Sequence, residues 1–369
     1  MALRHAEKRR DSTCALADHI AEAALAAWRG LEVRNASPQT CVAAIVAVDG
    51  RSCDVLGLGA GTKVARRAAV ASDATGEVLR DCHAEVLAVR AFRRHVRAVA
   101  DAGGGGAFEA VDEAGASEAT TPSVRLRAGV ALYLYCSSAP CGNATIRKWA
   151  KTKREVFRPE LGDAPPLEPH APFRVTAPGQ VALLGKRRPD DAGEQDAKAP
   201  PGCAVPDGDA LRPHSCSDKV ARWAAVGLEG ALLSGLVEGG CRLSGVVVGR
   251  KYCFEHARRA LCCRVASCLE THPALMGTGV LLDVGAYTGG AGADFVDGRC
   301  YAWASGDASP EELDGAAGRR TDGAPSVLCR ARMLRDATGE AYNAGEYAAA
   351  KRRAASAAYA DADRRLRSA

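Results

Sequence analysis

The chain reads as an α/β protein, a sheet layered with helices on its faces, and three observations carry that reading. Segments with the apolar period of a helix alternate with short β-rich runs; two of those runs are joined by Asp49-Gly50; and the composition can fill a core. Hydrophobic residues make up 47% and charged residues 25% of the 369, the balance of a folded globular chain. Alanine, glycine and arginine are abundant while aromatics are only 5%, so alanine content is discounted as a helix signal.

Residues 13 to 29 place Leu16, Ile20, Ala23, Ala24 and Ala27 on one helical face, with Gly30 as the stop, and residues 1 to 12 read as a tail. Cys41 to Val48 and Cys53 to Leu58 are β-rich, and the Asp49-Gly50 step between them predicts an antiparallel hairpin. From His83 to about Val99 a helix turns Leu87, Ala88, Ala91 and Phe92 inward, and Val130 to Tyr135 is a buried strand. Asp101 to Pro122, between them, is too rich in glycine and acidic residues to pack and reads as an inserted loop. Arg187 to Pro213, Gly285 to Ala293 and Asp307 to Pro325 behave likewise. Beyond Cys216 come a helix from Lys219 to about Val237, a strand from Leu243 to Val248, a helix from Phe254 to about Cys268 and a last helix from Tyr342 to about Ala360. The periodic segments on both sides of these insertions share the motifs below, so residues 13–369 read as one domain with low-complexity insertions at 101–122 and 187–213.

The net charge of +5 is mild, but basic residues cluster at Arg147 to Arg154, Lys186 to Arg188, Lys351 to Arg353 and Arg364 to Arg367. Such runs suit a polyanionic partner, although each alone is ordinarily a solvated face. No run of ~18 apolar residues exists and the amino-terminus has no cleavable apolar core, so neither a membrane span nor a secretory signal is expected. The 15 cysteines are odd in number and form no regular framework, which points to reduced thiols in the cytoplasm or nucleus, some of them metal ligands.

Asp81-Cys82-His83-Ala84-Glu85 opens a helix, and Tyr135-Cys136-Ser137-Ser138-Ala139-Pro140-Cys141-Gly142 forms a strand-to-helix turn. This His-x-Glu with Pro-Cys pattern resembles the zinc deaminases, and the resemblance implies one His and two Cys on zinc, water as fourth ligand and the Glu as proton carrier. The chemistry needs that set: three protein ligands leave zinc an open position to activate water, and Glu85 can reach over the metal without ligating it. Most of the class supply the third ligand three residues after the first cysteine, where this chain has Ala144. The best candidate is then Cys216, which precedes a helix much as Cys141 does. A lone Cys141 or Cys216 would ordinarily be a packing residue, and Cys82, Cys136, Cys262 and Cys263 are left as such; His214 is read as a loop residue.

Taken with Ser215-Cys216-Ser217-Asp218-Lys219-Val220-Ala221-Arg222-Trp223 and the Gly61-Thr62-Lys63 loop, these motifs resemble the adenosine deaminases acting on RNA, across about Ala15 to Ala360. Within that family the chain is most similar to the tRNA-specific branch, because no double-stranded-RNA-binding domain fits the short segment ahead of the catalytic part. The resemblance implies a cytidine-deaminase-like layered fold with a central mixed sheet, extended by a carboxy-terminal helical part. It implies zinc on His83, Cys141 and Cys216, Glu85 as the catalytic proton shuttle, and Thr62 and Lys63 beside the substrate nucleotide. Arg147 to Arg154, with Trp149 among its cations, could stack on a base. It further implies a buried inositol hexakisphosphate on Arg90, Lys219, Arg222, Trp223, Arg330, Tyr347 and Lys351, linked to the zinc site through Asp81 and Lys186. Val89 and Ala341 stand where cations would be expected.

The expected substrate is therefore RNA rather than DNA, a tRNA and by resemblance an alanine tRNA at the adenosine 3′ of the anticodon. The rivals are a duplex-RNA editor, an inactive RNA-binding subunit, which an intact Glu85 disfavours, and a free-nucleoside cytidine deaminase, which Ala144 disfavours.

Overall fold

The computed structural model describes residues 2–33, 40–111, 123–145, 184–191, 201–206, 209–283 and 298–368. The basic segment Arg147 to Arg154 and the insertion Gly285 to Ala293 lie outside them. The helices are α1 (Ala2–Gly30), α2 (Arg67–Ala71), α3 (Ala84–Asp101), α4 (Cys216–Val226), α5 (Phe254–Ala257), α6 (Arg330–Thr338), α7 (Tyr347–Ala354) and α8 (Ala357–Ser368). The strands are β1 (Val42–Asp49), β2 (Ser52–Ala60), β3 (Thr62–Val64), β4 (Asp81–His83), β5 (Phe108–Ala110), β6 (Val124–Leu126), β7 (Val130–Ser138), β8 (Leu184–Lys186), β9 (Ala204–Pro206), β10 (Val237–Glu238), β11 (Leu243–Arg250), β12 (Ala274–Gly277), β13 (Arg299–Ala304), β14 (Glu311–Asp314) and β15 (Arg319–Arg320).

Eight strands make one mixed sheet in the order β12-β11-β7-β1-β2-β13-β14-β15. It is parallel where β11 meets β7 and β12 and antiparallel elsewhere. Successive side chains of β1 go to opposite faces, as the pleat requires. Ala43, Ile45 and Ala47 join Phe92 and Val96 of α3 in one apolar layer. Val42, Ala44, Val46 and Val48 join Ile20, Ala24 and Trp28 of α1 in the other. Each large apolar side chain so buried contributes about 1.5–3 kcal/mol.

Two glycines set the height of α3. A Cβ on Gly57 would stand 2.4 Å from the backbone nitrogen of Phe92, and one on Gly59 would stand 2.3 Å from the carbonyl oxygen of Ala84. Their absence lets α3 lie directly on β2, which fixes Ala84 and therefore His83 before it.

Several element boundaries differ from those read in the sequence. The first helix runs from Ala2, so residues 2–12 belong to it rather than to a tail; no Gly or Pro interrupts the chain before Gly30. The β1–β2 turn holds Gly50 and Arg51 between paired Asp49 and Ser52, one residue later than expected, with Gly50 at φ 60°. Helix α4 stops at Val226 instead of Val237 because Gly227, at φ 95°, leaves the helical region. The helix expected from Phe254 to Cys268 breaks into α5, a π turn over Arg258–Cys262 and a 3₁₀ stretch over Cys263–Cys268. That expected over 342–360 is α7 and α8, parted where the Ser356 amide donates to Ser234 Oγ at 2.9 Å. The insertions are also partly regular: β5 pairs with β6, β9 with β8, and β14 and β15 extend the sheet edge within Asp307 to Pro325. Helix α6 has no counterpart in the sequence reading. No helix among the described residues is long and apolar enough to cross a membrane.

Candidate active site and basic cavity

β3 pairs with β4 so that Thr62 faces His83, and His83 caps α3, which puts Glu85 in that helix's first turn. Thr62 and Lys63 are half-buried beside it. Cys141 follows the end of β7, where Gly142 adopts φ 103° and a Cβ would stand 2.4 Å from Ser215 Oγ. Ser215 caps α4 by accepting from the Asp218 amide at 3.2 Å, and Cys216 is that helix's first residue. Ser217 laces the two cysteine turns together: its hydroxyl donates to the Cys141 carbonyl at 2.6 Å and accepts from the Ala144 amide at 3.1 Å. His83 and both cysteines are buried together at the amino-terminal ends of α3 and α4, whose dipoles favour negative charge.

Within the cluster, the Cys216 amide donates to Cys141 Sγ at 3.4 Å, and Cys216 Sγ donates to Glu85 Oε2 at 3.0 Å. Lys186, with no exposed surface, donates to Asp81 Oδ2 at 2.6 Å and to Cys216 Sγ at 3.2 Å. Asp81 takes His83 Nδ1 on its other oxygen at 2.9 Å, while Lys219 shares Oδ2 with Lys186. A hydrogen bond from Cys216, together with Lys186 and His83, holds the Cys141 thiol well below its ordinary range despite burial. Burial, followed by Cys141, pushes the Cys216 thiol up. For His83, burial and Lys186 act downward, but Asp81 and Cys141 outweigh them and its pKa is pushed up to about 9. Burial alone would raise Asp81; Lys186, Lys219 and His83 hold it well below the carboxylate range.

One His nitrogen and two cysteine sulfurs are the donors that zinc prefers, and a carboxylate on the far ring nitrogen is its usual support. By donor chemistry the residues fit that metal. Among the described residues, however, no three His, Cys, Asp or Glu side chains are arranged to hold an ion. Cys216 Sγ turns to Glu85, and His83 Nε2 lies 3.2 Å from the Gly202 carbonyl. A bound cation would displace the His83 proton, since ligation and protonation compete for the same lone pair.

Behind Asp81 lies a cavity of about 960 Å³. Arg90, Lys219, Arg222, Trp223, Arg330, Tyr347 and Lys351 all line it, brought from α3, α4, α6 and α7. Arg330 pairs with the buried Asp73 at 3.0 Å and sits 5.8 Å from the Tyr347 ring, on which Lys351 also rests at 5.1 Å. Burial, then Arg222, Arg93 and Arg90, lowers the Lys351 ammonium. Val89 also lines the cavity, whereas Ala341 is exposed.

The run Lys186 to Arg188, taken in the sequence for a basic patch, is no outer patch: Lys186 and Arg188 have no exposed surface. Arg188 donates to the Ala65 carbonyl at 2.5 Å and to that of Leu211, so its charge is spent inside the fold. Several cavity cations escaped sequence reasoning, Arg80 and Arg93 among them. Arg93 was detectable, lying three residues after Arg90 on the same helical face; Arg80 carried no signal beyond its place before Asp81.

A mixed sheet that sets a histidine and two cysteines at helix starts, with carboxy-terminal helices around a basic cavity behind them, is the fold of a deaminase domain. Residues 57–368 match the adenosine-deaminase (editase) domain, and the chain belongs to that family. It is 29% identical over 194 residues to the double-stranded RNA-specific adenosine deaminase of Mus musculus, covering 52% of this chain and 15% of that protein. With the double-stranded RNA-specific editase Adar of Drosophila melanogaster it shares 30% over 206 residues, 54% of this chain and 27% of the relative. With tRNA-specific adenosine deaminase 1 of Mus musculus it shares 26% over 367 residues, 72% of this chain and 71% of the relative. The chain thus spans well under two thirds of the double-stranded-RNA relatives.

Proposed function

We propose that the chain hydrolytically deaminates adenosine to inosine in RNA, with a tRNA as substrate and the adenosine 3′ of the anticodon of an alanine tRNA as target. The carrying observation is the meeting of His83, Cys141, Cys216 and Glu85 at one buried point in an adenosine-deaminase domain. The tRNA assignment is supported by similarity over 71% of the mouse tRNA-specific deaminase, against 15% and 27% for the double-stranded-RNA relatives.

His83, Cys141 and Cys216 would hold zinc, which when bound supplies a Lewis acid that makes water a nucleophile at neutral pH. Glu85, beside Cys216, would accept a proton from the attacking water and pass it to the departing amine. Asp81 fixes the His83 ring through Nδ1 and so aims its other nitrogen. Thr62 and Lys63, beside His83, hold the flipped nucleotide and its backbone. In the basic cavity an inositol hexakisphosphate would neutralise the converging cations, and Lys219 and Lys186 on Asp81 connect that wall to Cys216.

The second reading is a duplex-RNA editor, favoured by the 29% and 30% identities of the double-stranded-RNA relatives over the 26% of the tRNA enzyme. Turnover on an alanine tRNA and on a long perfect duplex, read as inosine formed, separates the two. A tRNA loop extrudes its base at lower stacking cost, so the tRNA should react much faster; faster reaction of the duplex overturns the tRNA assignment. Metal analysis of the same preparation should find about one zinc per chain, lost in Cys216→Ala.

A further inference from the structure

We propose that Arg80 and Arg93 are further ligand-holding cations of the basic cavity, gripping an inositol polyphosphate from the β4 and α3 sides; the inference rests on the polyanion reading above. The arginines of α3 all line the cavity but differ in their partners. Arg94 pairs with Asp307 at 2.8 Å and Arg97 with Asp101 at 2.5 Å, so these two cations are neutralised within the wall itself. Arg93 makes no ion pair among the described residues. Its Nε donates to the Leu228 carbonyl at 2.7 Å, and its other nitrogens have no partner among the described residues. The guanidinium lies against Gly230, where a Cβ would stand 2.8 Å from Cζ, so the group packs closely on the backbone there.

Glu229, whose charge acts on Arg93, is committed to the Cys241 amide at 2.9 Å. Burial lowers the Arg93 pKa, with Arg90 adding to the repulsion. Arg80, on the residue before Asp81, makes no ion pair among the described residues, and its Nε is buried without a hydrogen-bond partner. Burial and then Arg330 lower its pKa as well. With Arg90, which donates to the Leu328 carbonyl and Met333 Sδ, and Lys351, these are cavity cations that make no ion pair among the described residues. Buried charge left uncompensated is strongly unfavourable, and a planar fork such as guanidinium matches phosphate oxygens two at a time.

The test uses the full chain and four variants, Arg80→Met, Arg93→Met, Arg80→Lys and Arg93→Lys. Mass spectrometry of acid-extracted protein reads the ligand carried, and thermal unfolding reads affinity for added inositol hexakisphosphate and, separately, inorganic phosphate. Each Met variant should bind the hexakisphosphate about tenfold more weakly or worse, the loss of a charge-assisted contact. The Lys variants should fall between. Removing an unpaired cation relieves repulsion, so Met variants fold without ligand; should one not fold, an unchanged affinity in the matching Lys variant overturns the proposal. Wild-type affinity in both Met variants also overturns it, as does equal stabilisation by inorganic phosphate. If wild-type protein carries no inositol phosphate and is not stabilised by it, the polyanion reading itself falls, and this inference with it.

Discussion

Asp81 stands between two charged interiors. On one side, His83, Lys186, Cys141, Cys216 and Glu85 alternate in sign, each within hydrogen-bond reach of a neighbour of opposite or complementary character. On the other, Arg80, Arg90, Arg93 and Lys351 gather without ion pairs among the described residues, beside cations that do have carboxylates, such as Lys219, Arg222 and Arg330. The side of His83 and Cys216 is electrostatically closed within the chain, whereas the cavity side would be closed by the proposed polyanion. Desolvated ions are tolerated when paired, so the first region should depend on its own residues and the second on an external anion.

The largest effect is expected on the closed side. Glu85→Ala should cut the single-turnover rate of inosine formation by about 10²- to 10⁴-fold, towards the upper limit because one carboxylate serves both proton transfers. RNA binding and bound zinc, measured on the same protein, should persist. A loss below about tenfold would place the proton carrier elsewhere.

Next comes the shared carboxylate. Asp81→Asn strips His83, Lys186 and Lys219 of their common partner and should cost about 3–5 kcal/mol in urea unfolding, the range for a broken buried pair. Asp363→Asn, whose partners Arg222 and Arg367 are partly exposed, should cost less than about 1 kcal/mol. Equal costs would abolish the contrast between the two interiors.

The catalytic side was largely legible in the sequence because its chemistry rides on short spacings: His83 and Glu85 share one helix start, and Pro140-Cys141 one turn. Cys216 was found by the gap that Ala144 left. The sheet was legible for the same local reason, since β1, β2, β7 and β11 are continuous apolar runs. What stayed hidden is non-local. Lys186 sits in a run that patterning reads as a surface patch, and only the family resemblance tied it to Asp81, far away in sequence, which buries it. Helix α6 is polar on most of its surface, with Leu334 its buried residue, so periodicity could not mark it. The end of α4 and the break after α7 turn on Gly227 and on a Ser234 contact, a backbone angle and a tertiary bond that apolar patterning ignores.

The smallest effect sharpens the comparison most, because its sign reverses with ligand. Lys351 has a pKa held below 10.5 by burial and by Arg222, Arg93 and Arg90. The folded, ligand-free protein therefore releases this proton before the unfolded chain does, and stability attributable to Lys351 rises with pH up to about 10.5. Lys351→Met removes that rise along with the repulsion; sulfur on the Tyr347 ring replaces the lost cation–π contact, each worth about 0.5–1 kcal/mol. Ligand-free Lys351→Met should be equal to or slightly more stable than wild type at pH 7, and the wild type should gain on it as pH increases. With inositol hexakisphosphate bound, phosphates stabilise the ammonium, so Lys351→Met should be the less stable protein at pH 7. Wild type should then keep its advantage at pH 9.5, because an ammonium held above its ordinary range loses that stability only above about 10.5. Urea midpoints of both proteins at pH 7 and pH 9.5, with and without hexakisphosphate, give the four differences, and groups common to both proteins cancel in each. The same sign of the difference in both ligand states would mean that Lys351 serves the fold and not the anion.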